Sequence, residues 1–350
     1  MNYYYDRLSI EEQAAYDALL KAMRKLKNEV QVPHALSTDS MGKVLDALRF
    51  EHTGLFYVNY DKVRYLYSLN GTKFQLEFDG SQEELKQKRL WLRETLAQFK
   101  EEKEAENLND DRAILRWIHH KLVRSTRYDH SALDSPDDHP RAFNILGVFQ
   151  DHLAVCQGIA FAFKLLCDYF EIPCMIATGR ATLENIGDNL LHAWNIVCLD
   201  GKNAHVDITW DIGLSELSHF YRYDYFCIPD EWIKEDHAFE DLPACVDNIS
   251  YFEAKKRVFH DYDSLRSFVH QELKKKTPYL YFKMSMDGDL NEITASTDQA
   301  ISETVGMHSF MPVKISRVSG GMQMCFFYRM ETQELPASGF MKWLDGKLRG

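Results

Sequence analysis

Residues 153–170 read LAVCQGIAFAFKLLCDYF, and this stretch decides the fold of the central part of the chain. The apolar residues that follow Cys156 recur at helical spacing, so the sequence predicts a helix over 157–170 that docks by one face. Cys156 then lies at the helix N-terminus, where unpaired backbone N–H groups and the helix dipole stabilise a thiolate. Position alone does not separate a reactive thiol from a packed one, because free cysteines are most often small buried residues.

A thiolate nucleophile needs a base, and the base needs an acceptor that orients it. The later stretch LLHAWNIVCLDGKNAHVDITWD supplies both residue types. It predicts two strands, 192–199 and 204–210, joined by a two-residue Asp-Gly turn. His192 and Asp207 then lie on one face as diagonal neighbours, with about 7–8 Å between their backbones. A four-residue loop keeps that face, whereas a three-residue loop without a bulge places the two residues on opposite faces.

The surroundings of Asp207 indicate a partner for its carboxylate. The run HVDITW is apolar, and a buried carboxylate is costly unless a charged or donating group meets it. We therefore expect a hydrogen bond between His192 and Asp207. Either residue alone would be ordinary, as a histidine at a strand end or an aspartate bonded to backbone or solvent.

Three ordered blocks resemble the core of the transglutaminase-like superfamily: AVCQGIAFAFKLLCDYFEIPC, LLHAWNIVCLDGKNAHVDITWD and YDYFCIPDEWIKEDH. The resemblance spans roughly residues 110–240. It implies an α+β, papain-like fold in which the helix carrying the cysteine packs on an antiparallel sheet. It also implies a triad with Cys156 as nucleophile, His192 as general base and acid, and Asp207 as the residue that orients His192. The flanks are similar to those of uncharacterised bacterial proteins built around such a core.

Three further residues are candidates around this triad. An oxyanion would be stabilised by the Cys156 backbone N–H and one side-chain donor. Gln150 precedes Cys156 by six residues, which resembles the spacing in papain-like proteases. A position in a surface loop explains Gln150 equally well. Gln157 and Trp194 match the family motif and are candidates for the substrate groove, and Trp194 is also compatible with a place in the core.

The sequence predicts four parts. Residues 1–82 form an N-terminal helix with an α+β hairpin region, and 83–109 form a connecting helix. Residues 110–247 form the transglutaminase-like core, and 248–350 form a small C-terminal α+β domain whose order is helix, strand, helix and two strands.

Composition restricts the partners. The formal charge of -12 argues against nucleic acid or an anionic membrane as the main partner. Seven widely spaced cysteines indicate free thiols in a reducing compartment, and the first thirty residues lack a signal-peptide pattern, so we expect a cytoplasmic protein. The absence of CxxC, HExxH and Asp-rich calcium-loop motifs predicts no metal and no cofactor.

The predicted chemistry is acyl transfer from an amide of a peptide or protein through a thioester on Cys156. Water as the acceptor makes the protein a peptidase or amidase, which we expect, and a primary amine makes it a crosslinking protein-glutamine acyltransferase. A non-catalytic module that binds peptides or proteins in the same groove is the rival class. Nothing in the sequence decides the oligomeric state.

Overall fold

The computed structural model describes residues 1–68, 71–183, 187–218, 220–275, 277, 279–286, 289–305, 310–311 and 323–330. They divide into two compact units between Ser250 and Tyr251. Each unit mixes helices with mostly antiparallel sheets, so the fold class is α+β, as the sequence predicts. Among these residues, no helix is both long enough and apolar enough to cross a bilayer. The four-part division of the chain stays a prediction.

The first unit opens with a small helix and sheet layer. Its elements are α1 (Ile10–Arg24), β1 (Glu29–Val32), α2 (Thr38–Glu51), β2 (Arg64–Ser68) and β3 (Gly71–Gln75). A capping box starts α1, because Ser9 accepts the Glu12 N–H while Glu12 accepts the Ser9 N–H. The three strands pair in the order β1-β3-β2, and Leu19, Val44 and Phe74 are fully buried between helices and sheet. This layer therefore has an apolar core of its own.

Two helices lead to the central domain. They are α3 (Gln82–Ala105) and α4 (Asp111–Ser125), and β4 (Arg127–Tyr128), α5 (Ser131–Asp134) and β5 (Leu153–Ala154) follow. Only Leu85 of α3 is buried, whereas α4 buries a whole apolar face, so α3 spans the surface and α4 belongs to the core. β4 pairs in parallel with β5, and Tyr128 lies opposite Ala154. This pairing brings Tyr128 to the residues just before Cys156.

The central domain packs a helix on a five-stranded antiparallel sheet. Its elements are α6 (Cys156–Tyr169), β6 (Cys174–Leu183), β7 (Gly187–Leu199), β8 (Lys202–Val206), α7 (Ile208–Ser218), β9 (Phe226–Ile228), α8 (Asp230–Ile233) and β10 (His237–Ala238). The strand order is β10-β6-β7-β8-β9. The buried Asn195 of β7 donates to the Ala160 carbonyl at 3.1 Å, which ties α6 to the sheet. A helix that carries the cysteine and packs on an antiparallel sheet is the arrangement that the sequence predicts.

One predicted element is wrong. The second strand of the hairpin was expected to continue to Trp210, but β8 ends at Val206 and α7 begins at Ile208. The Asp207 side chain accepts the Trp210 N–H at 3.1 Å, three residues on, which is the bond of a helix N-cap. The polypeptide therefore leaves the sheet at Asp207.

Tyrosines at the start of the chain contact the central domain. The Tyr4 hydroxyl donates to the Ile176 carbonyl at 2.8 Å, and the Tyr3 hydroxyl donates to the Asp241 carbonyl. Asp241 follows the last strand of the sheet and Ile176 lies within it. The N-terminal residues are therefore packed on the sheet that carries the site described below.

The second unit holds α9 (Tyr251–Ala254), β11 (Val258–Phe259), α10 (Tyr262–Lys274), β12 (Tyr279–Ser285), α11 (Leu290–Val305), β13 (Phe310–Met311) and β14 (Gln323–Met330). Its sheet runs in the order β11-β12-β14-β13. The fully buried Leu265, Phe282 and Ile301 join the two long helices to the central strand. The predicted helix, strand and helix correspond to α10, β12 and α11, and of the two predicted strands the residues between β13 and β14 lie outside the described part of the chain.

Candidate active site

The structure places Cys156 in the first turn of α6, as the sequence predicts. The preceding Val155 offers no side-chain cap, so the first N–H groups of the helix have no capping side chain. Cys156 is half-buried. Its sulfur therefore lies where the helix dipole favours an anion and where a substrate has access.

Gly158 lets another segment pass close to this helix start. A Cβ atom at Gly158 would lie 2.3 Å from the Ala142 carbonyl oxygen and 3.0 Å from the Asn144 carbonyl oxygen. The Ala142 carbonyl also accepts the Val155 N–H at 3.0 Å. The segment before α6 thus fixes the position of the cysteine.

We expect Gly158→Ala to lower the free energy of unfolding by about 1–3 kcal/mol, because the backbone around Ala142 must move. Gly42→Ala is the matched control. Gly42 lies inside α2 with open space around it, so alanine there should raise stability by about 0.5–1 kcal/mol. Urea unfolding of both variants measures the difference, and a Gly158→Ala protein as stable as Gly42→Ala would contradict the close approach.

The hairpin brings His192 and Asp207 together. Leu199 pairs with Lys202 across the turn, which confirms the predicted two-residue register, and Asn195 pairs with Val206 at its far end. His192 Nε2 donates to Asp207 Oδ2 at 2.5 Å. The predicted contact between the two side chains is therefore present.

Asp207 is fully buried and accepts three hydrogen bonds. Oδ2 accepts from Nε2 of His192 at 2.5 Å and from Nε2 of His237 at 3.1 Å, and Oδ1 accepts from the Trp210 N–H at 3.1 Å. Burial raises the pKa of Asp207, but the charges and hydrogen bonds of the two histidines outweigh it, so the pKa lies well below its usual value. Asp207 is ionised throughout the physiological range.

Cys156 and His192 form a coupled acid-base pair. Burial raises the pKa of the Cys156 thiol. The hydrogen bond and charge of His192, together with the Ala193 N–H, lower it by more than burial raises it, so the net shift is downward. Burial lowers the pKa of His192, whereas Asp207 and then Cys156 raise it, to about 10. The shifts therefore favour a thiolate beside an imidazolium over a thiol beside a neutral imidazole.

Tyr128 is a site residue that the sequence did not reveal. Burial, followed by the charges of Cys156 and Asp207, raises the pKa of its hydroxyl well above the usual value. The Cys156 backbone N–H lowers this pKa and the Cys156 side chain raises it, so the hydroxyl lies next to Cys156. Tyr128 lies 28 residues before Cys156 in a two-residue strand, so no spacing pattern could have identified it.

His237 is the second residue that sequence reasoning missed. It belongs to the quoted stretch YDYFCIPDEWIKEDH, and the two-residue strand β10 carries it to the edge of the sheet. It is 2% exposed and lies beside Asp207, on the same carboxylate oxygen as His192. A histidine directly after Asp236 was the only signal in the sequence.

The three lesser candidates have different surroundings. Gln150 is exposed, its Oε1 accepts from Arg141 at 2.7 Å, and it is not among the residues that line the cavity at Cys156. Gln157 lines that cavity and donates to the Phe143 carbonyl at 2.9 Å. Trp194 is 1% exposed and stacks on His192 with 5.8 Å between ring centroids. Trp194 thus supports the histidine from the core.

Cys156 and His192 open into a cavity of about 870 Å³. Its lining includes the polar residues Thr178, Arg180 and Glu240. The large apolar lining residues are Phe50, Leu133, Phe143, Val155, Leu191 and Phe239. Leu191 is 79% exposed at the rim, directly before His192. The cavity can therefore take an extended chain with apolar side chains beside the sulfur.

Within the part of the chain that the structure describes, two groups of side chains have the composition of metal ligands. One is His192, Asp207 and His237, and the other is His205, Asp230 and Cys245. In both, the histidine nitrogens that would bind a metal already donate to carboxylates. His205 Nδ1 also accepts the Trp194 indole N–H at 3.0 Å, so the proton of its neutral ring is on Nε2. Neither group presents a ready set of imidazole lone pairs.

Comparison with known proteins gives one family for this region. Residues 95–208 match the model of the transglutaminase-like superfamily. The chain is similar to kyphoscoliosis peptidase of Homo sapiens, with 30% identity over 137 residues that cover 36% of this chain and 20% of that protein. The Mus musculus protein is 29% identical over the same shares. The chain thus spans about a fifth of the length of these curated relatives.

A solved structure described as a TGase is also similar. Its identity to the chain is 14%, its TM-score is 0.29, and the match covers 52% of this chain and 50% of that one.

Proposed function

We propose, from the transglutaminase-like domain that this chain carries around residues 95–208, that it is a cysteine enzyme which hydrolyses amide bonds of peptides or proteins. The observation that carries the proposal is the position of His192, whose Nε2 bonds the ionised Asp207 and whose ring lines one cavity together with Cys156. Nucleophile, base and orienting acid are the parts that acyl transfer through a thioester requires.

The reaction follows from these groups. The Cys156 thiolate attacks the carbonyl carbon of the amide, and the carbonyl oxygen takes up the negative charge. His192 then gives its proton to the amide nitrogen, the carbon–nitrogen bond breaks, and an acyl thioester and a free amine remain. Neutral His192 next removes a proton from water, whose oxygen attacks the thioester. The acid leaves, the thiolate and the imidazolium are restored, and Asp207 keeps its charge throughout.

Tyr128 is our proposed side-chain donor to the oxyanion. Its hydroxyl lies next to Cys156, whose backbone N–H and side chain both act on its pKa, so the hydroxyl and that N–H can donate to one oxygen. The raised pKa keeps the phenol protonated, as a donor must be. In this role Tyr128 takes the place that the sequence suggested for Gln150.

Hydrolysis rather than amine transfer is favoured by the relatives. The similar Homo sapiens and Mus musculus proteins carry the name peptidase, and the cavity at the sulfur has an apolar lining suited to a peptide segment. A crosslinking acyltransferase would use the same triad with a primary amine in place of water. Incorporation of a labelled primary amine into a glutamine side chain of an intact peptide, with release of ammonia, would identify that alternative.

Selective alkylation tests the proposal without a known substrate. At mildly acidic pH we expect iodoacetamide to modify Cys156 before any other cysteine, because its pKa is lowered while burial raises the pKa of Cys167, Cys227 and Cys245. Mass spectrometry after brief labelling of the native protein identifies the site. Cys198 is the internal control, since it is also half-buried. Equal labelling of Cys156 and Cys198 would remove the basis for a cysteine enzyme. After selective labelling of Cys156, a peptide-library screen identifies the substrate.

A further inference from the structure

His237 lies at the centre of a buried chain of hydrogen bonds behind the triad. Its Nε2 bonds Asp207 Oδ2 at 3.1 Å, and its Nδ1 bonds Asp236 Oδ1 at 2.5 Å. The Tyr225 hydroxyl donates to the other oxygen of Asp236. The chain therefore runs from His192 through Asp207, His237 and Asp236 to Tyr225.

The partners of His237 fix its protonation state. Each of its ring nitrogens faces a carboxylate oxygen, and an ionised carboxylate can only accept. Both nitrogens satisfy their partners at once only when both carry a proton, which makes the ring an imidazolium. Burial lowers the pKa of His237. The hydrogen bonds to Asp207 and Asp236 raise it by more than burial lowers it, so the net shift is upward. Positive and negative groups thus alternate along the chain.

We propose that His237 is a positioning residue of this site: a buried imidazolium that holds Asp207 and shares its charge with His192. The proposal rests on the function proposed above. Both histidines bond the same oxygen of Asp207, and their ring centroids are 5.3 Å apart. His237 is not among the residues that line the cavity, so it acts on the reaction through Asp207.

A fixed positive charge at this place sets the pH range of the thiolate–imidazolium pair. The groups facing His237 are the charged Asp207, Asp236 and His192, together with Tyr225, Trp210 and Trp194. A nearby positive charge lowers the pKa at which the thiol loses its proton and the pKa at which His192 loses its own. Removing that charge must therefore raise both values, whereas a loss of packing alone has no reason to move them together.

His237→Gln tests this inference, because glutamine keeps a donor but carries no charge. The rate of Cys156 alkylation is followed from pH 4 to 11. This pH profile has two limbs, a lower one where the thiol loses its proton and an upper one where His192 loses its own. At the observed ring separation we expect both limbs to move upward, the upper one by about one to two pH units. His205→Gln is the matched control. His205 is also fully buried and contacts Trp194, but its pKa is lowered by burial, so it carries no charge to remove.

The outcomes separate this inference from the proposed function. A wild-type Cys156 without enhanced reactivity at low pH overturns the proposed function. An enhanced wild type whose limbs stay in place in His237→Gln overturns the role of His237, and so do equal shifts in His205→Gln. Should His237→Gln fail to fold, NMR of the ¹⁵N-histidine-labelled wild type decides. Two ring N–H signals for His237 at pH 7 support the inference, and one signal overturns it.

Discussion

Cys156→Ala is expected to abolish thioester formation and to lower turnover by about 10⁵- to 10⁶-fold. The methyl group of alanine has no electron pair to attack a carbonyl, and no other described cysteine has the contacts of Cys156. Cys156 is half-buried at the N-terminus of α6, so the fold should tolerate alanine there. Cleavage of a peptide substrate and labelling by a thiol-directed activity probe measure the loss.

The control for this variant is Cys198→Ala, which removes the other half-buried free thiol of the described residues. Turnover and probe labelling at Cys156 should both survive it. A Cys156→Ala protein that still cleaves the substrate at the wild-type rate would show that the nucleophile lies elsewhere.

Asp207→Asn is expected to lower turnover of the folded protein by about 10³- to 10⁴-fold, with a smaller effect on KM. The amide fills the same space and can still accept the Trp210 N–H, but it does not stabilise the imidazolium of His192. Turnover per folded molecule is the measurement. Asp230→Asn is the control, because Asp230 bonds a different histidine, His205, at 2.8 Å. Near wild-type turnover in Asp207→Asn would refute the triad.

The same variant should alter the dependence of stability on pH. The pKa of Asp207 is lowered in the fold, so its contribution is present above its ordinary pKa of about 4 and is lost as pH falls below it. The pKa of His192 is raised to about 10, so its contribution is complete below about pH 6.5 and disappears as pH rises to about 10. The pair therefore stabilises the fold most between about pH 4 and 6.5, and the loss of stability in Asp207→Asn should be greatest there.

Local patterns in the sequence predicted the helix that carries Cys156 and the register of the hairpin. Both depend on interactions between residues close in the chain: apolar spacing along α6 and a two-residue turn between β7 and β8. The hydrogen bond between His192 and Asp207 followed from that register and from the cost of burying a carboxylate. The superfamily, named from three ordered motifs, agrees with the family match over residues 95–208.

The sequence was misleading at the end of the hairpin. The residues after Asp207, ITWDI, have the branched and aromatic side chains of a strand, which favoured a strand to Trp210. In the structure, Asp207 caps a helix through one carboxylate oxygen and bonds two histidines through the other. An aspartate three residues before Trp210 was an N-cap signal that the strand-like composition concealed.

Tyr128 and His237 could not be predicted because tertiary contacts bring them to the site. Each lies in a strand of two residues, too short for any periodicity. Tyr128 depends on the parallel pairing of Arg127 with Leu153, and His237 on the pairing with Ala181 at the sheet edge. Neither pairing leaves a pattern in the adjacent sequence.

Phe50, at the end of α2, bears on how such a domain can be exchanged between proteins. It lines the cavity at Cys156, although it precedes the family-matched segment by 45 residues. A chimera that inherited only the matched segment would keep the cysteine and the hairpin and would lose part of the wall that contacts a substrate. The wall of the cavity is therefore encoded in part outside the recognisable core, and under the proposed function a change at Phe50 can alter selectivity without altering the triad.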